Sequence, residues 1–195
     1  MRFFIALEIP SENIAQFQAI QQSLHTLIPQ AKITDPAKVH LTLAFLGEQN
    51  PEIKDKLVEI IGQAATDIPA FAVTPAYIDG FPNLHNPKIL WVGVKGDIDK
   101  ILLIRERIKD GLESLHLPVD ERRFIPHISI AKLASDFQLD RNLEVSLEKI
   151  MTISFEPIKI TSIKLFESIP ASPAGGPNEG FHKHNTLAEV KLDKN

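Results

Sequence analysis

The 195-residue sequence contains no cysteine. This absence excludes disulfides, thiolate catalysis and cysteine-ligated zinc or iron–sulfur sites, and it favours a cytoplasmic protein. The sequence also lacks a long hydrophobic run near its start, where the apolar stretch 3–7 meets Glu8 and then Pro10. Such a stretch is too short for a signal sequence or a membrane-spanning helix, so we expect no association with a membrane.

Positive charge is not in excess either, because 21 basic residues face 25 acidic ones and the net charge is −4. Proteins that wrap long nucleic acid take their affinity from many phosphate contacts. We therefore expect no binding to long double-stranded nucleic acid, whereas recognition of a single phosphate is compatible with this charge. The length and composition predict one globular domain over residues 1–195. We expect this domain to be bilobal and monomeric.

Two eight-residue segments, one in each half of the chain, are nearly alike. Residues 40–47 read HLTLAFLG and residues 127–134 read HISIAKLA. They share histidine at the first position, a hydroxyl residue at the third, alanine at the fifth, leucine at the seventh, and apolar residues at the second and fourth. This repetition indicates a duplicated scaffold that brings two imidazoles and two hydroxyls to one site.

Hydrophobic periodicity predicts an alternation of strands and helices. Strands are predicted over residues 2–9, 39–46, 71–78, 89–95, 124–133 and 187–192, with a β-rich stretch over 153–166 that is broken at Pro157. Helices are predicted over residues 11–28, 51–68, 97–115 and 139–150. The pattern favours an α+β fold of two pseudo-symmetric lobes, each a mainly antiparallel sheet with helices on its outer face, and an active-site cleft between them.

Strand geometry gives the repeated segments a chemical meaning. Successive side chains point to opposite faces of a strand, so His40 and Thr42 share one face, and His127 and Ser129 share another. The apolar residues between them can pack on the helices, while the polar faces can line the cleft. We therefore predict His40 and His127 as catalytic residues and Thr42 and Ser129 as substrate-binding residues.

Such a group of residues suits phosphoester chemistry. Opening a cyclic phosphodiester needs a base to take a proton from water, an acid to protonate the leaving oxygen, and donors for the phosphoryl oxygens. Histidine fills either proton role near neutral pH, and each well-placed proton transfer contributes ~10²–10⁴ in rate. This scheme requires no metal and no cofactor, and we predict neither.

The chain resembles the two-histidine phosphoesterase superfamily, and within it the RNA 2′,3′-cyclic phosphodiesterases, also called 2′-5′ RNA ligases. The resemblance is carried by residues 1–7, 39–47, 89–94 and 123–131. It implies a bilobal fold, metal-independent hydrolysis of RNA 2′,3′-cyclic phosphate ends to 2′-phosphates, and reversible 2′-5′ ligation. It also implies that His40 protonates the 3′-oxygen leaving group and that His127 activates water.

Other polar segments receive simpler interpretations. Residues 168–184, rich in proline and glycine, predict a mobile surface loop. The basic residues 182–184 at its end predict an exposed polar end, with contact to RNA as the alternative. The alternating charges of residues 105–107 predict a solvated helix face. Of the consecutive Arg122 and Arg123, at most one can face the cleft.

Three alternatives remain open on the sequence alone. The same site could act on a small cyclic nucleotide or an ADP-ribose cyclic phosphate. The chain could instead be a non-catalytic module that binds nucleotides or RNA ends. A zinc hydrolase is the weakest alternative, because neither histidine segment supplies the carboxylate of the usual ligand set.

Overall fold

A computed structural model of the chain describes residues 1–170 and 182–193. Within these ranges the chain forms four α-helices and nine β-strands. The helices are α1 (Ile14–Leu27), α2 (Lys54–Ala65), α3 (Ile98–Ser114) and α4 (Arg141–Ile150). The strands are β1 (Arg2–Glu8), β2 (Lys32–Ile33), β3 (His40–Glu48), β4 (Phe71–Phe81), β5 (Ile89–Gly96), β6 (His127–Lys132), β7 (Ile158–Ile160), β8 (Ser162–Pro170) and β9 (His182–Lys191). None of the helices in these ranges has the length and hydrophobicity needed to cross a bilayer.

The strands form one antiparallel sheet in the order β7-β4-β5-β6-β3-β1-β8-β9, and β2 pairs with β6. This order divides into two four-stranded halves that meet where β6 adjoins β3. A single residue pair, Leu41 with Ile128, joins them. Each half places its histidine strand innermost, next to β1 or β5. The predicted α+β fold of two pseudo-symmetric lobes is confirmed.

The helices cover the sheet in two pairs, one pair for each half. The first pair, α1 and α4, contacts β6 and β4, whereas the second pair, α2 and α3, contacts β3, β8 and β9. On α1 the buried residues Phe17, Ile20 and Leu24 recur at the three- and four-residue spacing of one helix face. Burying a side chain of this kind contributes ~1.5–3 kcal/mol. This apolar stripe therefore stabilises the half-sheet that carries His127.

One buried polar side chain on each long helix anchors the segment that leads to a histidine strand. Gln21 on α1 donates through Nε2 to the carbonyls of Thr34, at 2.7 Å, and of Ile130, at 3.1 Å. Arg105 on α3 donates through Nη2 to the carbonyl of Asp120 at 3.3 Å. Because buried polar groups are costly without partners, these bonds help to fix where β3 and β6 begin.

The position of Arg105 corrects the expectation that residues 105–107 form a solvated helix face. Its side chain is 5% exposed, and its guanidinium lies 5.5 Å from the centre of the Phe124 ring. Arg105 falls within the buried stripe that contains Ile104 and Ile108. Helical spacing therefore turns it toward the protein, whatever its charge.

Several elements begin two or three residues later than the sequence predicts, among them α1, α2, α4 and β6. β6 begins at His127 because the preceding Pro126 has no N–H to donate to a neighbouring strand. α4 begins at Arg141, after Asp140, whose carboxylate accepts a hydrogen bond from the Leu143 N–H at 2.8 Å. This capping bond sets the helix start.

The loop predicted over residues 168–184 is wrong at its two ends. Ser168 on β8 pairs with His184 on β9, and both belong to regular antiparallel structure. The closing strand thus begins at His182 rather than at residue 187. The middle of the predicted loop, residues 171–181, lies outside the described residues.

Candidate active site

The two histidine strands show the same burial along their first six residues. From His40 on β3 and from His127 on β6, the first and third residues are half-buried, the second, fourth and fifth are buried, and the sixth is exposed. Thr42 and Ser129, the third residues, therefore share a face with the histidines, as the alternation of a strand requires. The repeat in sequence is also a repeat in structure.

Each imidazole is held by the same hydrogen bond. His40 Nδ1 lies 2.7 Å from the carbonyl of Lys38, and His127 Nδ1 lies 2.7 Å from the carbonyl of Ile125. A carbonyl only accepts, so Nδ1 carries the hydrogen in both rings. Nε2 is then the unprotonated nitrogen of the neutral ring. Each histidine is orientated to exchange a proton through Nε2.

The rings around the two histidines differ. His40 lies 5.1 Å from the Phe4 ring centre and 5.3 Å from that of His184, which meets it at 80°. His127 lies 4.9 Å from the centre of Phe81, which meets it at 87°. An edge-on ring therefore supports each imidazole, but only the ring beside His40 can itself take a proton.

Both histidines favour their neutral forms. Burial lowers the pKa of His40, against the raising effect of its bond to Lys38, and the charge of His127 lowers it further. Burial likewise lowers the pKa of His127 below its ordinary value. Since the two charges oppose one another, the site as a whole resists holding two protons.

A cavity of about 460 Å³ opens beside His40 and is lined by Thr42 and Ser129 as well. His127 is not part of its lining; its half-buried ring lies between Phe81 and Trp91. Asp35 is the acidic residue on the cavity wall, and it pairs with Lys38 at 3.5 Å. The cationic residues of the wall are Arg2, Lys32, Lys38 and Lys132. A chain with net charge −4 thus has a basic cavity, which suits an anionic ligand.

His182 and His184 also line this cavity, so the expectation of an exposed polar end is wrong. Burial lowers the pKa of His184 to about 4, with the charges of His40, Lys38 and His182 acting in the same direction. Alternation along a strand places His182 and His184 on one face, which is the signal that the sequence carried. Their partner strand could not be read from it.

One further prediction and one missed residue concern the surroundings of the histidine strands. Arg122 and Arg123 are both exposed and neither lines the cavity; Arg122 pairs with Asp120 at 2.6 Å. Phe45, the sixth residue of the first repeat, was missed: it lines the cavity with 60% of its surface exposed. An exposed aromatic ring on a basic cavity is typical of a nucleobase-stacking surface.

Among residues 1–170 and 182–193, no three His, Asp or Glu side chains come together as a potential metal site. Within this part of the chain, His40 and His127 therefore have no third His, Asp or Glu beside them of the kind that zinc sites use.

Comparison with known proteins places these features in a family. The model of the 2′-5′ RNA ligase superfamily matches residues 10–167. RNA 2′,3′-cyclic phosphodiesterase from Aeropyrum pernix is 26% identical over 167 residues, covering 86% of this chain and 89% of the relative. The protein of the same name from Aquifex aeolicus is 30% identical over 143 residues, covering 70% of this chain and 72% of the relative.

Solved structures share the fold over nearly the whole chain. A crystal structure of a Thermus thermophilus protein matches with a TM-score of 0.78 at 21% identity, covering 100% of this chain and 99% of that one. E. coli LigT complexed with 3′-AMP matches with a TM-score of 0.68 at 20% identity, covering 99% and 98%. The resemblance inferred from the sequence is confirmed, since the family model spans most of the chain. This chain belongs to the 2′-5′ RNA ligase superfamily.

Proposed function

We propose that this chain is an RNA 2′,3′-cyclic phosphodiesterase that opens the terminal cyclic phosphate to a 2′-phosphate without a metal ion. The observation that carries the proposal is the matched pair of imidazoles: each donates Nδ1–H to the carbonyl two residues before it, at 2.7 Å, and leaves Nε2 for proton transfer. The name shared by the Aeropyrum and Aquifex relatives supports the same activity.

His127 is the proposed base and His40 the proposed acid. Water attacks the phosphorus while His127 Nε2 takes its proton, and the bond between phosphorus and the 3′-oxygen breaks as His40 protonates that oxygen. His127 is suited to the base role because burial keeps its ring neutral. His40 must first gain a proton, and a phosphate monoanion beside it favours the charged ring.

Thr42 and Ser129 are the proposed donors to the non-bridging phosphoryl oxygens. Both line the cavity, and each shares a strand face with one histidine. Donors placed where negative charge develops stabilise the transition state in a partly desolvated site. Each half therefore supplies one hydroxyl to the phosphate, on the same strand face as its own proton-transfer group.

The cavity favours a nucleotide over a simple phosphate ester. Its volume of about 460 Å³ is within the range of small-ligand sites. The exposed Phe45 ring offers a stacking surface for a base. When the 5′-hydroxyl of a second RNA takes the place of water, the same displacement forms a 2′-5′ linkage, which we propose as the ligation reaction.

The test is turnover of a short RNA ending in a 2′,3′-cyclic phosphate, in excess chelator. The expected product is a 2′-phosphate, and His40→Ala and His127→Ala should each lose at least ~10²-fold in rate. His25→Ala is the matched control, because His25 is exposed on α1. Full activity in either histidine-strand variant, or loss of activity in chelator, would contradict the proposal. If the enzyme turns over free cyclic nucleotides but not RNA, the substrate is a small cyclic nucleotide and not an RNA end.

A further inference from the structure

Arg2, Ser168 and His182 form a second polar cluster on the cavity, on strands that carry neither histidine repeat. They come from β1, β8 and β9, which lie side by side in the sheet. Ser168 Oγ lies 2.9 Å from His182 Nδ1, so the hydroxyl and the imidazole are hydrogen-bonded. All three residues line the same cavity as His40.

Positive charges converge on this cluster. The charges of Arg2 and Lys132 lower the pKa of His182, in addition to the larger effect of burial. Within residues 1–170 and 182–193, neither Arg2 nor Lys132 forms an ion pair. Arg2 forms no ion pair with Glu48 although Glu48 lies opposite it in the register of β1 and β3. Like charges held together in a concave site attract an anion.

We propose that Arg2, Ser168 and His182 bind a second phosphate of the substrate, the one attached to the 5′-oxygen of the terminal nucleotide. This inference rests on the proposed function, in which Thr42 and Ser129 hold the reacting phosphate. Both sets of residues line one nucleotide-sized cavity, so one ligand with two phosphates can occupy both. We name the cluster the second-phosphate site.

The second-phosphate site gives the chain a substrate preference. The last nucleotide of any RNA carries a phosphate on its 5′-oxygen, whereas a free nucleoside 2′,3′-cyclic phosphate does not. A charge-assisted hydrogen bond made only with the longer ligand adds affinity for that ligand alone. The site thus favours RNA ends and 5′-phosphorylated nucleotides over cyclic mononucleotides.

Binding of two product analogues tests the proposal without requiring turnover. Adenosine 2′-phosphate and adenosine 2′,5′-bisphosphate are titrated by calorimetry against the wild type, and the bisphosphate should bind about tenfold more tightly or better. In Arg2→Ala this ratio should fall about tenfold. Arg141→Ala, which removes an arginine that is 76% exposed on α4, should keep the wild-type ratio.

The outcomes separate this inference from the proposed function. Equal affinity of the wild type for both ligands would overturn the second-phosphate site, as would an equal loss for both ligands in Arg2→Ala. His182→Ala guards against misfolding of a single variant, and it should reduce the same ratio. Turnover of adenosine 2′,3′-cyclic phosphate with and without a 5′-phosphate then tests the reaction. If neither compound is turned over but the binding ratio is unchanged, the proposed function is wrong and the second-phosphate site is retained.

Discussion

The two histidine half-sites have the same backbone design but different neighbours. In both, a histidine two residues after a carbonyl donates Nδ1–H to it, and a hydroxyl residue follows on the same face. Beside His40, however, the edge-on ring is His184, and beside His127 it is Phe81. The comparison teaches that the repeated backbone sets the orientation of both imidazoles, while residues outside the repeat determine which ring lies edge-on beside each one.

The strand next to each histidine extends this difference. Glu8 lies opposite His40 in the register of β1 and β3, and its carboxylate pairs with Lys164. The equivalent position beside the second histidine is Gly93. A Cβ on Gly93 would lie 2.2 Å from the ring of Tyr77, so glycine is needed for that ring to lie across the strand. The strand position opposite the histidine is therefore a charged residue in one half and a glycine beside an aromatic ring in the other.

The largest expected effect separates the acid from the base. When sulfur replaces the 3′-oxygen of the substrate, the leaving group is a thiolate, which needs no proton from an acid. His40→Ala should lose ~10²–10⁴ in rate on the oxygen substrate but little on the sulfur substrate, whereas His127→Ala should lose ~10²–10⁴ on both. The measurement is kcat/KM for both substrates with both variants. Sulfur rescue of His127→Ala instead would exchange the two roles.

A smaller effect tests whether the two hydroxyls act as equals. Thr42→Val and Ser129→Ala each remove one donor to the phosphoryl oxygens and leave both histidines in place. A hydrogen bond to a charged group contributes ~1.5–3 kcal/mol, so each variant should lose roughly 10- to 100-fold in kcat/KM. Thr66→Val, at the exposed end of α2, is the control. A large loss in one variant alone would show that the half-sites share the phosphate unequally.

Local patterns explain why the histidine strands could be predicted from the sequence. Alternation over β3 and β6 depends on neighbouring residues only, so the shared face of His40 and Thr42 follows from spacing. The same is true of the apolar helix faces that pack on the sheet. The fold class follows because both halves repeat the order of strand, helix and strand.

Long-range pairing explains what the sequence did not reveal. His184 lies beside His40 because β9 pairs with β8, where Ser168 is opposite His184. These two strands are separated in the sequence by residues 171–181. No local period specifies such a partner. Arg105 is a different case. Its spacing along α3 places it in the buried stripe, but its charge led to the prediction of an exposed side chain.

The smallest expected effect is the pH dependence of stability that His184 contributes and that Phe81, its counterpart in the other half, cannot contribute. The pKa of His184 is about 4 in the folded chain, while an unfolded histidine has a pKa near 6.5. The unfolded state therefore binds more protons between these values, and the His184 contribution to the free energy of unfolding falls as pH drops from 6.5 toward 4. Since the ring is half-exposed, solvent screening reduces this contribution to about 1 kcal/mol.

His184→Phe, which copies the neutral ring of the other half, should remove this pH-dependent contribution. Urea unfolding of both proteins at pH 7 and pH 4.5 measures the effect as a change in their stability difference. A difference that is the same at both pH values would mean that His184 is supported as its counterpart Phe81 is, by packing alone.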